Sequence, residues 1–167
     1  MNSNFLFDFT VNKENNTVNV KREFGAGLAL VWDAWTKPEI LDQWWAPKPW
    51  KAVTVSMDFK EGGRWLYYMQ GPEGERHYCI NDYQKINVQK DFSGLDAFTD
   101  ENGTINTDMP RTLWHNTFTQ NGETTIVNIV AQYDSLEDLE KIIAMGFKEG
   151  FTMAMGNLDE YFESLKK

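Results

Sequence analysis

The chain has 167 residues, of which 41% are hydrophobic and 25% charged, the balance of an ordinary globular domain. Its formal net charge of −9 repels phosphate backbones, so nucleic acids and anionic membranes are not expected as partners. The single cysteine, Cys79, excludes an intrachain disulfide and a thiolate zinc cluster. The first residues lack the pattern of a signal peptide, and no apolar run approaches the ~20 residues that span a bilayer. We therefore predict a cytoplasmic protein.

The first 45 residues predict a hairpin followed by two short helices. Apolar and polar residues alternate over residues 5–11 and 17–24, and an Asn-rich turn separates the two runs. From Leu28 the apolar residues change to helical spacing, which predicts a first helix. Thr36 and Glu39 have the spacing of a capping box, so we expect Thr36 to cap a second helix that Pro47 ends.

The rest of the chain predicts a meander of strands and then a long helix. Residues 50–133 alternate in polarity between turn sequences such as Asn121-Gly122, a pattern typical of antiparallel hairpins. Ser135 and Asp138 predict the start of a helix that reaches about residue 145. The apolar stripe of a long helix over about residues 147–166 follows at Phe147, Phe151, Met155, Leu158, Phe162 and Leu165. That helix must cover one face of the sheet.

The aromatic content of 14% is the most unusual feature, and six of the seven tryptophans lie between Trp32 and Trp65. Side chains this large either fill a core or line an apolar cavity, and the sequence leaves both alternatives open. Trp44 and Trp45 are adjacent on a helix and point about 100° apart. We expect one of them in the core and the other at the mouth of a cavity.

Side chains that share a strand or helix face suggest the walls of such a cavity. Trp65, Tyr67 and Met69 share one face of a predicted strand, and polar tips such as Tyr67 and His77 would orient a ligand. The candidate ligand-binding residues are Trp44, Trp65, Tyr67, Met69, His77, Phe98, Trp114, Phe147, Phe151 and Met155.

Nothing in the sequence predicts a catalytic residue, a metal site or a cofactor. His77 and His115 have no metal-ligand spacing, and Cys79 lies in no nucleophile motif. Asp96 has the strand parity of Phe98. Buried among aromatic rings, its carboxyl would have a raised pKa and could act as a general acid or base. The alternative is a strand residue bound to the backbone or to an arginine.

Three runs of residues carry a family resemblance. VWDAWTKPE at residues 31–39 is followed by WWAP at 44–47, and GGRW at 62–65 and MGFKEGF at 145–151 come later. Together they resemble the activator-of-Hsp90-ATPase-like domains of the START and Bet v 1-like superfamily, over about residues 10–165. The resemblance implies an α+β helix-grip fold, with a curved antiparallel sheet wrapped on a long C-terminal helix and two short helices after the first strand. We predict a single domain over residues 1–167, in which residues 1–13 form an N-terminal strand extension.

The resemblance leaves three functions open. Many relatives enclose an apolar cavity, so the first expectation is non-catalytic binding of an apolar or aromatic small molecule. The family name implies a second, an interaction protein that assists a chaperone. Related folds also host enzymes such as cyclases and hydrolases, the third and weakest expectation. A pair of polar side chains converging in the cavity would favour the enzyme, and an exposed apolar patch would favour the chaperone partner.

Overall fold

Eight antiparallel strands form one curved sheet, and the last helix of the chain packs against it. The computed structural model describes residues 5–166. The strands are β1 (Phe7–Asn12), β2 (Thr17–Phe24), β3 (Lys51–Met57), β4 (Arg64–Gln70), β5 (Arg76–Asn87), β6 (Asp91–Thr99), β7 (Leu113–Asn121) and β8 (Thr124–Gln132). The helices are α1 (Leu28–Thr36), α2 (Pro38–Trp44), α3 (Leu136–Ala144) and α4 (Phe147–Ser164).

The strand order is β1-β2-β8-β7-β6-β5-β4-β3. Strands β3 to β8 follow one another as the predicted meander, and β2 pairs with β8, so the first hairpin joins the sheet at the end of the meander. This arrangement confirms the predicted α+β helix-grip fold. Strand β1 starts at Phe7, two residues later than the predicted hairpin, and residues 1–4 of the predicted extension lie outside the described residues.

Helix α4 is held to the sheet by its apolar stripe and by one buried ion pair. Leu158 is fully buried, and the ring of Phe162 lies 5.9 Å from that of Phe24 on β2. Arg22 of β2 donates a hydrogen bond from Nη2 to Oδ2 of Asp159 on α4, and both side chains are buried. The C-terminal half of α4 is therefore fixed against β2, whereas its N-terminal half lies near β7.

The prediction that Thr36 caps the second helix is wrong. Thr36 is the last residue of α1, and its Oγ1 donates a hydrogen bond to the carbonyl oxygen of Trp32 at 2.9 Å. Only Lys37 separates the two helices, and it occupies the N-cap position of α2 without a side-chain hydrogen bond. The capping prediction at the start of α3 is confirmed, since Ser135 Oγ accepts a hydrogen bond from the backbone N–H of Asp138 at 3.1 Å.

Candidate ligand cavity

A cavity of about 410 Å³ lies between the sheet and the N-terminal half of α4. Strands β4 to β7 provide one side of it, α3 and α4 provide the other, and the segment after α2 provides a third. The exposed side chains of His77 and Met145 mark its opening. The lining consists of Trp45, Pro47, Trp50, Tyr67, Met69, His77, Cys79, Asp96, Phe98, Thr112, Trp114, Tyr133, Ile142, Met145, Gly146, Phe147, Gly150, Phe151 and Ala154.

Seven of the ten side chains proposed from the sequence lie in this lining. They are Tyr67, Met69, His77, Phe98, Trp114, Phe147 and Phe151. Cross-strand pairing brings the strand residues together, because Met69 pairs with His77, and Cys79 pairs with both Tyr67 and Phe98. Helix spacing does the same on α4, where the rings of Phe147 and Phe151 stack at 5.3 Å and both lie 5.9 Å from Trp114.

The other three candidates do not line the cavity. Trp44 is 0% exposed, and its Nε1 donates to the carbonyl oxygen of Ala34 at 2.9 Å. Trp65 stacks on Tyr67 and donates from Nε1 to Thr54 Oγ1, on the side of the core. Met155 lies one turn beyond Phe151, where α4 closes on the core. All three residues belong to the hydrophobic core.

Trp45 is one of the wall residues that the sequence candidates missed. Its ring is partly exposed and lines the cavity, whereas its neighbour Trp44 is fully buried. The different environments of the two rings agree with the expectation from their ~100° separation, and the ring that lines the cavity is that of Trp45, whereas the candidate set contained Trp44. Trp45 Nε1 donates a hydrogen bond to the hydroxyl of Tyr67 at 2.9 Å and so joins the segment after α2 to β4.

Asp96 is the polar group at the inner end of the cavity. It lines the large cavity and also a void of about 20 Å³ that reaches toward the core. Oδ1 accepts a hydrogen bond from the backbone N–H of Thr112 at 2.7 Å, and Oδ2 accepts one from Nε1 of Trp114 at 2.8 Å. Burial raises the pKa of Asp96 to about 6, although these hydrogen bonds oppose the shift. Asp96 thus faces the cavity. It also accepts a hydrogen bond from the backbone, as in the alternative that the sequence left open.

The other titratable groups of the inner wall are neutral near pH 7. Burial, and then the charge of Asp96, raises the pKa of the Cys79 thiol to about 12, so Cys79 is not a thiolate nucleophile. Burial also raises the pKa of Tyr133 to about 12 and that of Tyr67 well above its usual value. Among the described residues, the buried hydroxyl of Tyr133 has no hydrogen-bond partner. Residues 5–166 also contain no group of three or more His, Cys, Asp or Glu side chains arranged to hold a metal ion.

Comparison with known families identifies the chain. The family model described as activator of Hsp90 ATPase homolog 1-like protein matches residues 26–163. The chain belongs to this family. Its members bind hydrophobic ligands or act as co-chaperones. A comparison with curated proteins gives no significant match.

Solved structures support the same assignment. A crystal structure of a protein from Mycobacterium smegmatis is 30% identical and superposes with a TM-score of 0.86, covering 94% of this chain and 96% of that one. A solution structure from Arthrobacter aurescens is 27% identical with a TM-score of 0.86, covering 91% of this chain and 88% of that one. A protein from Staphylococcus epidermidis is 25% identical with a TM-score of 0.80, covering 90% and 92%. No helix within residues 5–166 has both the length and the apolar character to cross a membrane. The cytoplasmic location stays a prediction.

Proposed function

We propose that this protein binds an apolar or aromatic small molecule, without transforming it, in the cavity between the sheet and α4. The observation that carries the proposal is a cavity of about 410 Å³ whose wall is mainly aromatic and aliphatic. Small-molecule sites typically enclose about 300–1,000 Å³ and combine an apolar wall with a few polar groups. Trp45, Trp114, Phe147 and Phe151 provide much of the wall, and Tyr67 and Asp96 are among the polar groups within it.

The wall side chains lie around a space rather than filling it. Trp114 is in contact range of Phe147 and Phe151, but the other side of this aromatic group is open to the cavity. Removing an apolar ligand from water gains about 25 cal/mol per Å² of apolar surface buried, and these rings offer such a surface. The neutral thiol of Cys79 is no thiolate nucleophile, but Asp96, with its raised pKa, is a group that an enzyme could use as a general acid or base, so catalysis is the third candidate.

A chaperone-assisting role is the second candidate, and it rests on the family description alone. Most of the exposed large apolar side chains come from separate elements, such as Leu30 on α1, Val55 on β3 and Val88 beyond β5, and the edge strand β1 carries two, Phe7 and Val11. A larger apolar face on one element would favour a protein partner more strongly. The cavity is therefore the better supported site.

A matched pair of glycine substitutions on α4 tests the proposal. A Cβ at Gly150 would meet only Pro47, at 3.7 Å, and would lie in the cavity wall, whereas a Cβ at Gly156 would meet nothing within 4 Å. Both are helical, so replacing either with leucine gains helix propensity, but only Gly150→Leu reduces the cavity. We expect wild type and Gly156→Leu to bind the neutral fluorescent dye Nile red at one saturable site. Gly150→Leu should bind at least ~10-fold more weakly, since part of its site is filled.

Two results would contradict the proposal. Absence of saturable dye binding to wild type would leave the chaperone-assisting role as the remaining candidate. Equal dye affinity of Gly150→Leu and wild type would place the dye elsewhere on the protein.

A further inference from the structure

The carboxylate of Asp96 has no positively charged partner within the described residues. No Lys, Arg or His nitrogen lies within 4.0 Å of its oxygens, and both of its hydrogen bonds come from neutral donors. The charge of the Arg111 guanidinium lowers the pKa of Asp96, but Arg111 forms no ion pair with this carboxylate, because Nε donates to the backbone carbonyl oxygen of Asp96 and Nη2 pairs with Asp82 at 3.2 Å. A carboxylate held in a largely apolar site without a direct ion pair is costly, so a cation brought by a ligand would be stabilised there.

The lining supplies nothing to attract an anion. It contains no lysine or arginine, and its one histidine, His77, is exposed at the opening, where its ring lies edge-on to Trp50 at 5.2 Å. The net charge of −9 adds a field that concentrates cations and repels anions. A carboxylate or phosphate ligand would therefore meet like charge both on approach and at the inner end of the cavity.

Aromatic rings surround the same end of the cavity. Trp114 is bound directly to Asp96, and the ring centroids of Trp45, Phe147 and Phe151 lie 5.9–6.2 Å from that of Trp114. Aromatic faces attract ammonium and guanidinium groups, and the attraction increases where water is excluded. One carboxylate with several aromatic rings is the combination that suits an organic cation.

We propose that the ligand is an organic cation, an amine or quaternary ammonium group on an apolar or aromatic body, whose charged end lies beside Asp96 among these rings. This inference rests on the proposed function, since it names the chemical class of the ligand for the same cavity. The body of the ligand lies toward the opening, against Met69 and Trp50, which are next to His77.

Three probes with one naphthalene body and different charge test the inference. They are (2-naphthylmethyl)trimethylammonium, 2-naphthylmethanol and 2-naphthoate, titrated by calorimetry at pH 7.5 and low ionic strength. We expect the cation to bind at least ~10-fold more tightly than the neutral alcohol, and the alcohol more tightly than the anion. The permanent charge of the quaternary probe does not titrate, so any pH dependence of its binding belongs to the protein.

Substitution of Asp96 identifies the group responsible. Asp96→Asn should lower the affinity for the cation at least ~10-fold and leave that for the alcohol within about 2-fold. Glu123→Gln is the matched control, because it removes one acidic charge from the exposed turn between β7 and β8. We expect it to leave all three affinities unchanged, which separates a local contact with Asp96 from the effect of net charge.

A pH titration of wild type tests the same point if Asp96→Asn fails to fold. The groups that face Asp96 from neighbouring strands and loops are Tyr67, Cys79, Arg111 and Tyr133, with His77 at the opening. The side chains of α3 and α4 in the lining carry no titratable group. The affinity for the quaternary probe should be highest above pH 7 and fall up to ~10-fold per pH unit below about pH 6, as Asp96 becomes protonated. The affinity for the alcohol should not change over the same pH range.

The outcomes separate this inference from the proposed function. If the alcohol binds as tightly as the cation, or if Asp96→Asn weakens both alike, the cavity binds ligands but the inference of a cation is wrong. Tightest binding of 2-naphthoate would likewise overturn it. If no probe binds, both the inference and the proposed function fail.

Discussion

Two phenylalanines on the same helix provide the sharpest test of the cavity by protein stability. Phe151 and Phe162 both lie on the buried stripe of α4, at 7% and 3% exposure. Phe162 packs in the closed core against Phe24, whereas Phe151 lies in the wall of the cavity. Replacing each phenylalanine with alanine removes the same atoms from different surroundings. The difference between the two losses in free energy of unfolding therefore reports the empty space that already lies beside Phe151.

The expected magnitudes follow from that difference. Phe162→Ala loses the transfer free energy of the side chain and leaves a new cavity, so it should lower the free energy of unfolding by about 3–5 kcal/mol. Phe151→Ala enlarges an existing space, so mainly the transfer term of about 1.5–3 kcal/mol is lost. Urea unfolding monitored by tryptophan fluorescence measures both, and the m-value shows whether the two variants unfold in the same way.

The dye titration provides a second readout for this pair. Phe151→Ala should change the affinity for Nile red, because the substitution changes the wall that the dye contacts, and Phe162→Ala should not. An equal or larger stability loss for Phe151→Ala would show that Phe151 is ordinary core, and the reasoning would be refuted.

Three further predictions concern single groups. Ser135→Ala should lower the free energy of unfolding by about 0.5–2 kcal/mol in urea titrations, because the Asp138 N–H loses its cap, and no change would refute the assignment. Asp159→Ala leaves the buried charge of Arg22 unpaired and should cost about 3–5 kcal/mol in the same assay, and a loss below 1 kcal/mol would contradict the buried pair. Burial raises the pKa of Asp96 to about 6, above its value in an unfolded chain. At a pH between these two pKa values, the folded state keeps a proton that the unfolded state has released, so the folded state becomes less stable as the pH rises. Relative to Asp96→Asn, wild type should therefore lose about 2 kcal/mol of stability as the pH rises from about 4 to 7, and urea unfolding at both pH values would show a constant difference if Asp96 were unperturbed.

The fold was predictable because the apolar patterns of the strands and of the last helix fit one arrangement. The apolar stripe from Phe147 to Phe162 must be buried against an apolar surface. The alternating runs from residue 50 onward present such a surface only when they pair as a sheet. The Thr36 prediction failed because a capping box looks the same in sequence whether or not a preceding helix already contains the threonine. The hydroxyl of Thr36 is used by the carbonyl of Trp32, one turn back in α1.

The site was only partly predictable. Alternation along a strand shows which side chains share a face of the sheet, but it does not show which residues lie opposite that face. Trp65 and Tyr67 share a face and stack on each other, yet only Tyr67 reaches the cavity. The strand parity of Asp96 indicated that it points with Phe98. Its binding to Trp114 and Thr112 depends on how β6 meets the residues before β7, which local sequence does not encode.

The tryptophan indole N–H resonances offer the most direct measurement of ligand binding in this cavity. Trp45, Trp50 and Trp114 line it, whereas the other four indoles lie outside the lining at Trp32, Trp35, Trp44 and Trp65. In a two-dimensional ¹H–¹⁵N titration with 2-naphthylmethanol, after assignment by substitution, the three lining indoles should shift to saturation with one common dissociation constant. The other four should change little. Shifts confined to these four, or no saturable shift at any indole, would contradict the binding of a small molecule in this cavity.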